Sequence, residues 1–394
     1  MLKLNMINKD SNYFWYFISY FSLFLFVIFV SFLKGPAYGV DSARYINSAD
    51  ALINWLTTDD AFEFHKINYF SYFGYLIIVA LSRFIGGDNW VYFLIFFQSF
   101  LIAFMTIPIL YILRVFFSEL PNYLCCIVSV ILPFFHPEVL ILSRYVLTDI
   151  PFVGLLSLFT FIFLSNNEYK NNITIKLLLL LFFIFFIIFR PDSLSWLCAS
   201  LFLILIMKLN INNIKYAVFF FIIFIILFLF FASWFIYKPQ TWPFFGSDLL
   251  VWIRRYYLEG VVIHEQFGTY SNPPVSFIDF LLITLKRFVY YFQYWNENYS
   301  TIHNMYRHLY FPPIYFFSIY YFIKSFTRYS SLNNIEKKLI LFSLLLIIFN
   351  NLLHTLTIIA YEFRFQLIIF PLLWPISVLG INEFYKDTKK LFNN

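Results

Sequence analysis

The sequence predicts an all-α integral membrane protein with about ten transmembrane helices. Three observations carry that prediction. The 394 residues are 61% hydrophobic. Only 12% are charged, about half of the ~25% usual in a soluble domain. Apolar runs of about 20 residues, the length that crosses the hydrocarbon of a bilayer, recur from end to end, and the mean hydropathy is +0.76. The chain reads as one polytopic membrane domain over 1–394, with no substantial water-soluble part.

Taken in order, the spans are expected near 14–33, 89–113, 121–142, 150–165, 174–189, 192–208, 216–237, 308–325, 337–357 and 366–384. The first is longer than a cleavable signal core and is followed by many more, so it reads as a retained anchor. Two apolar segments are set aside as interfacial helices. One, near 69–85, contains Ser71, Ser82 and Arg83; the other, near 276–295, carries Lys286-Arg287 in its middle. One belongs to the first large loop, 34–88, and the other to the second, 238–307, before the eighth span. The 58 Phe and 30 Tyr accompany abundant Ile, Asn and Lys and are read mainly as the coding bias of an AT-rich genome, which the host's base composition would test. Cys125, Cys126 and Cys198 fall inside spans and form neither a disulfide framework nor a metal knuckle.

Charge sorts by side. With both termini cytoplasmic, Lys3, Lys9, Arg114, Lys170, Lys176, Lys208, Lys215, Lys324, Arg328, Lys337, Lys338, Lys386, Lys389 and Lys390 fall inside, as the positive-inside rule requires. The outer side receives Arg44, Arg83, Arg144, Arg190, Arg254, Arg255, Arg287, Arg307 and Arg364 but only Lys34, Lys66, Lys238 and Lys286, with all six histidines and most carboxylates. Topology does not ask for lysine inside and arginine outside. Arginine binds phosphate or carboxylate with a two-pronged fork and keeps its charge when partly desolvated, so the outer face reads as an anion-handling site. Pairing with outer carboxylates, or snorkelling to headgroups, is the plainer explanation of the same arginines. The net charge of +6 is too diffuse to point to nucleic acid.

Several short constellations lie on that face. Asp41 follows the first span and opens an amphipathic stretch with Tyr45, Ile46, Ala49, Leu52, Ile53 and Leu56 at helical spacing. A carboxylate held there suits a general base acting on a hydroxyl beside the headgroups; it also suits a helix cap. Arg144 and Asp149 share the next outer connection, with Pro151 in the first turn of the helix that follows. Asp149 is a second catalytic candidate or a cap. Arg190-Pro191-Asp192 is a tight outer turn, and Tyr361-Glu362-Phe363-Arg364 opens the last span. Arg254-Arg255 and Lys286-Arg287 are candidate phosphate cradles. Asp59-Asp60 with Glu63 could take a divalent cation, though the spacing fits no metal motif, and His65-Lys66 could touch a leaving phosphate. No Walker loop, dinucleotide fingerprint, nucleophile elbow or zinc motif is present, which argues against nucleotide-driven chemistry.

In this order the motifs resemble the GT-C superfamily of membrane glycosyltransferases that use polyprenyl-phosphate sugars, of the protein O-mannosyltransferase and lipid A aminoarabinose transferase type. The resemblance rests on Asp41-Ser42-Ala43-Arg44-Tyr45, on the surface helix Tyr69 to Gly87, on Arg144 to Pro151, and on Arg364 followed by Pro371. Ser42 stands where the family commonly has a second acidic residue. Lys66-Ile67-Asn68 stands where a proline pair is usual, and no soluble C-terminal domain is expected. The resemblance implies inverting transfer from a polyprenyl-phosphate-linked sugar to a lipid, glycan or protein acceptor, with Asp41 as base. Arg364, Arg254, Arg255, Arg287 and Lys286 would bind the donor phosphate. Arg44, Tyr45, His65, Arg144, Arg190 and Glu362 would position donor or acceptor. Rival readings are a polysaccharide polymerase or ligase, and a transporter or flippase of a polyprenyl-linked sugar. Transporters place ionisable groups at mid-bilayer and often show repeated halves, and no repeat is visible here.

Overall fold

The computed structural model describes residues 9–39, 41–57, 72–165, 186, 188–190, 192–208, 222–227, 229–230, 232–233, 257–260, 262, 274–295, 299–357 and 363–393. Every named element among them is helical. Four stretches are long and apolar enough to cross a membrane: Tyr13–Lys34, Phe73–Phe116, Asn334–Leu356 and Gln366–Phe392. Asn122–Phe134, Asp149–Ser165 and Ser193–Met207 are shorter apolar helices. These coincide with most of the expected spans. Most of the expected spans 174–189 and 216–237 lies outside the described residues.

The helices group into two compact units. The first comprises 1–194, 301–321 and 367–394. It begins with α1 (Lys9–Lys34), whose exposed Phe14, Phe17, Phe21, Leu25, Phe29 and Leu33 form the apolar outer surface that a bilayer requires. Helix α2 (Ser42–Thr57) buries Tyr45, Ser48, Ala49 and Leu52, a single stripe at the expected spacing. It packs on α3 (Phe73–Gly86), and Arg83 of α3 pairs with Asp50 of α2 at 2.7 Å while lying 4.7 Å over the Trp90 ring. Gly87, at φ 51°, turns the chain so that α4 (Trp90–Ile102) folds back on α3. A 3-10 turn joins α4 to α5 (Thr106–Phe116).

The expected continuous span at 121–142 is two helices, α6 (Asn122–Phe134) and α7 (Pro137–Leu142). Proline explains the break. Pro137 has no N–H to continue the ladder, and it drives His136 to an extended conformation (φ −71°, ψ 124°). Helix α8 (Asp149–Ser165) crosses α4 closely, because a Cβ at Gly154 would collide with the Leu101 carbonyl.

The second unit comprises 195–300 and 322–366. It holds α9 (Ser193–Lys208) from Ser195 onward, α10 (Phe277–Tyr290) and α12 (Asn334–Thr357). Helix α10 starts on a reciprocal cap. The Ser276 hydroxyl accepts from the Asp279 N–H, and the Asp279 carboxylate accepts from the Ser276 N–H. Its Phe280 and Ile283 pack with Tyr257 and Leu356, while Ile278, Leu282, Leu285 and Val289 remain exposed on the other face. Helix α11 (Thr301–Thr327) contributes its first 21 residues to the first unit, and α13 (Phe370–Asn393) completes that unit.

Candidate functional site

In the first unit, two loops at the Lys34 end of α1 are stitched together. Gly35, at φ 71°, ends α1 and sends the chain alongside 143–147. Ala37 and Tyr145 form a parallel bridge, with Ala37 N donating to the Arg144 carbonyl at 3.0 Å and Val146 N to the Ala37 carbonyl at 3.3 Å. Ser42 Oγ donates to the Val146 carbonyl at 2.9 Å and accepts from Gly39 N at 2.8 Å. Arg144 clamps the junction, its Nη1 donating to the carbonyls of Lys34 (3.1 Å) and Gly35 (3.2 Å). Arg144 is thus a brace within the corner. Ser42 is buried and holds a carbonyl, a place where a carboxylate would face an acceptor.

Asp41 stands at this corner. Its carbonyl accepts from the N–H groups of Arg44 (3.1 Å) and Tyr45 (3.2 Å), starting α2. Its side chain keeps 28% exposure and lies 3.4 Å from Arg44 Nη1, itself 57% exposed. Asp149 is placed very differently. Arg190, Asp149 and Asp192 are all buried, and the guanidinium bonds both carboxylates, Asp149 through Nη1 and Asp192 through Nε. Burial disfavours the charge of Arg190, but the two aspartates more than offset it and hold the group cationic well above the usual range.

Tyr45 links the two aspartates' surroundings. It sits on α2 one turn after Asp41, shares a side-chain hydrogen bond with Thr148, and packs edge-on against Tyr72 and Tyr75. Burial pushes its hydroxyl far above the usual phenol range, so it stays protonated and neutral. Gln98 Nε2 donates to Tyr75 Oη at 2.8 Å and to the Leu147 carbonyl at 3.3 Å, fixing the same loop from α4.

A second ionic cluster, which the sequence reading missed, lies in the same unit at the α6–α7 break. Glu138 bonds Arg307, which is fully buried, and its Oε1 lies 3.4 Å from His303 Nε2. The Tyr306 hydroxyl donates to the Phe135 carbonyl and the Tyr310 hydroxyl to the Leu132 carbonyl (2.6 Å), which serves backbone acceptors at the break. His136 Nδ1 accepts from Glu138 N at 3.2 Å, leaving the proton on Nε2 among the rings of Tyr310, Phe311, Phe370 and Trp374. One signal was available: Glu138 is an acid inside an expected span, and such groups are functional by default.

In the second unit, Lys286 and Arg287 part company, since helical neighbours point about 100° apart. Lys286 is exposed. Arg287 is buried, lies 3.8 Å over the Tyr257 ring and donates to the Thr355 carbonyl in the last turn of α12. Burial lowers its affinity for a proton. Nearby, Asn350 donates to Tyr291 Oη and Asn351 to the Phe288 carbonyl. Arg364 lies on the 3-10 turn Phe363–Ile369. His65, Arg254, Arg255 and Glu362 lie outside the described residues, as do Asp59, Asp60 and Glu63. Among the described residues no group of three or more His, Cys, Asp or Glu side chains is arranged to hold a metal ion.

The long apolar helices make this a helical protein of the membrane-embedded class. No family model, curated protein or solved structure matches the chain.

Proposed function

We propose that this protein is a polytopic glycosyltransferase of the cell (inner) membrane. It would transfer a sugar from a polyprenyl-phosphate donor to an acceptor hydroxyl at the outer face, with inversion. In this reading about ten helices cross the bilayer, both termini are cytoplasmic, and the Lys34 end of α1 faces outward. Asp41 is the general base: it takes the acceptor proton as the oxygen attacks the anomeric carbon and the lipid phosphate departs with the bonding pair. Arginine guanidinium groups stabilise the charge that develops on that phosphate. Arg364, Arg254 and Arg255 are the candidates for this role.

The single observation that supports this reading best is the stitched corner. Two loops from different parts of the chain hold Asp41 partly exposed, while Asp149 is locked in a buried network with Arg190 and Asp192. Of the two candidate aspartates, Asp41 is the more exposed and Asp149 is buried, which supports Asp41 as the base. Asp149 then serves to position the loop, with Arg190 as its partner.

Mass spectrometry of lipid-linked sugars and surface glycans, with and without the gene, tests the proposal. One polyprenyl-phosphate sugar should accumulate in the deletion, and Asp41→Asn should reproduce that accumulation at normal protein levels. An Asp41→Asn strain with wild-type glycans would remove Asp41 as base. The α6–α7 break, with Glu138 and Arg307 buried beside it, favours a second reading. Broken helices with internal charges are also how transporters build sites. Under that reading Glu138→Gln, and not Asp41→Asn, abolishes movement of a labelled polyprenyl-linked sugar across vesicles.

A further inference from the structure

An apolar groove lies between α5, α6 and α13 in the first unit, at the end opposite Asp41. Its volume is about 340 Å³, and Leu113 and Phe117 of the α5 end, Leu124 and Cys125 of α6, and Ile381 and Tyr385 of α13 are among its walls. That volume lies within the ~300–1,000 Å³ common for small-molecule sites. The groove opens sideways, since Leu120, Leu124, Ile381 and Tyr385 are exposed along its edge. Its orientation on α13 is set from behind. Gly380 brings the opposite face of α13 against α11, where a Cβ would collide with the Phe317 carbonyl.

Charge is distributed around α13 in register with the groove. Val378, Asn382, Tyr385 and Lys389 follow one another at intervals of four, three and four, so Lys389 continues the groove stripe one turn beyond its end. Lys386 borders the same face. The acids are engaged with other groups: Asp387 accepts from the Tyr320 hydroxyl of α11 at 2.5 Å, and Glu383 pairs with Lys386 at 3.2 Å. A carbon-lined groove thus ends at an exposed lysine.

We infer that this groove binds a phospholipid with an anionic headgroup, one acyl chain lying along Leu113, Leu124 and Ile381 and the phosphate meeting Lys389. Apolar walls alone would accept any chain; the lysine at the end of the stripe makes the site selective for negative headgroups. The inference is independent of the transferase proposal, because it concerns the opposite end of the first unit and its test reads bound lipid.

The full chain is reconstituted in vesicles of equal parts phosphatidylcholine and phosphatidylglycerol, extracted gently, and its retained lipid identified by native mass spectrometry. Wild-type protein should retain phosphatidylglycerol in preference to phosphatidylcholine. Lys389→Ala, at an exposed position, should lower that preference about fivefold, the equivalent of ~1 kcal/mol for one lysine at a charged surface. Ile381→Trp, which fills the groove, should release the lipid; Asn382→Phe is the second groove variant should the first not elute as a single species. Equal retention of the two lipids by wild type would overturn the inference. So would a Lys389→Ala protein with wild-type preference.

Discussion

At Arg190 a planar guanidinium joins two buried carboxylates that come from different parts of the chain, Asp149 41 residues earlier and Asp192 two residues later. A fork with several fixed donors can serve both at once, which a lysine ammonium cannot do with the same geometry. Arg190→Gln leaves two buried acids without their cation. It should cost about 3–5 kcal/mol, seen as a large fall in thermal unfolding temperature in detergent. Adding Asp149→Asn and Asp192→Asn to that variant should recover much of the loss, and unchanged melting of the single variant would show the network to be dispensable. The turn Arg190-Pro191-Asp192 was legible in the sequence as a cation beside a carboxylate. Its union with Asp149 was not, because nothing local selects one distant acid among several on the same face. The same holds for Glu138 and Arg307, separated by 169 positions.

The α6–α7 break shows how an element is shaped by its neighbours as well as by its own residues. Pro133 and Pro137 make an interruption necessary, and α11 makes it tolerable by offering the Tyr306 and Tyr310 hydroxyls to backbone carbonyls. Tyr310 also accepts from Trp374 Nε1 at 2.7 Å, so one hydroxyl ties α6, α11 and α13 together. Tyr310→Phe should therefore destabilise the protein by about 1–3 kcal/mol, the cost of buried groups left unpaired. Thermal unfolding would measure it, and an unchanged melting temperature would remove the Tyr310 hydroxyl as the tie. Helix α10 gives a pH prediction. Hydrogen bonds from the Ser276 hydroxyl and from the Val275 and Ser276 N–H groups hold the Asp279 carboxyl below its usual range, against the opposing effect of burial. A depressed carboxyl contributes stability above its unfolded pKa and loses it as pH falls through the folded value. Protection of the α10 amides from hydrogen exchange should accordingly weaken in acid, and Ser276→Ala should weaken it at neutral pH and flatten the pH dependence. A wild-type pH profile in Ser276→Ala would refute the capping assignment.

Across the whole molecule, the charge asymmetry predicts a labelling pattern. Tyr38 is exposed in the corner that holds Asp41, and Leu391 is exposed beside Lys389 and Lys390. In a chain with Cys198 replaced by serine, Tyr38→Cys should react with an impermeant maleimide added to intact cells. Leu391→Cys should react only after permeabilisation. Reaction of both from the same side would overturn the proposed topology and with it the outward-facing site. Cys125 and Cys126 are buried and give little background.

Composition and periodicity alone determined that this is a helical membrane protein, placed most helices within a few residues, and marked Asp41 as the start of a helix. Those properties are local: an apolar run of sufficient length must leave water, and a stripe at helical spacing must bury one face. The tertiary structure decided which charges meet. It turned Asp149 from a rim group into one of two buried carboxylates on Arg190, separated Lys286 from Arg287, split 121–142 in two and gathered Glu138, His303 and Arg307 around the break. Ion pairing in a low-dielectric interior is governed by distance in space, and distance in space between remote residues is not written in any short segment of the chain.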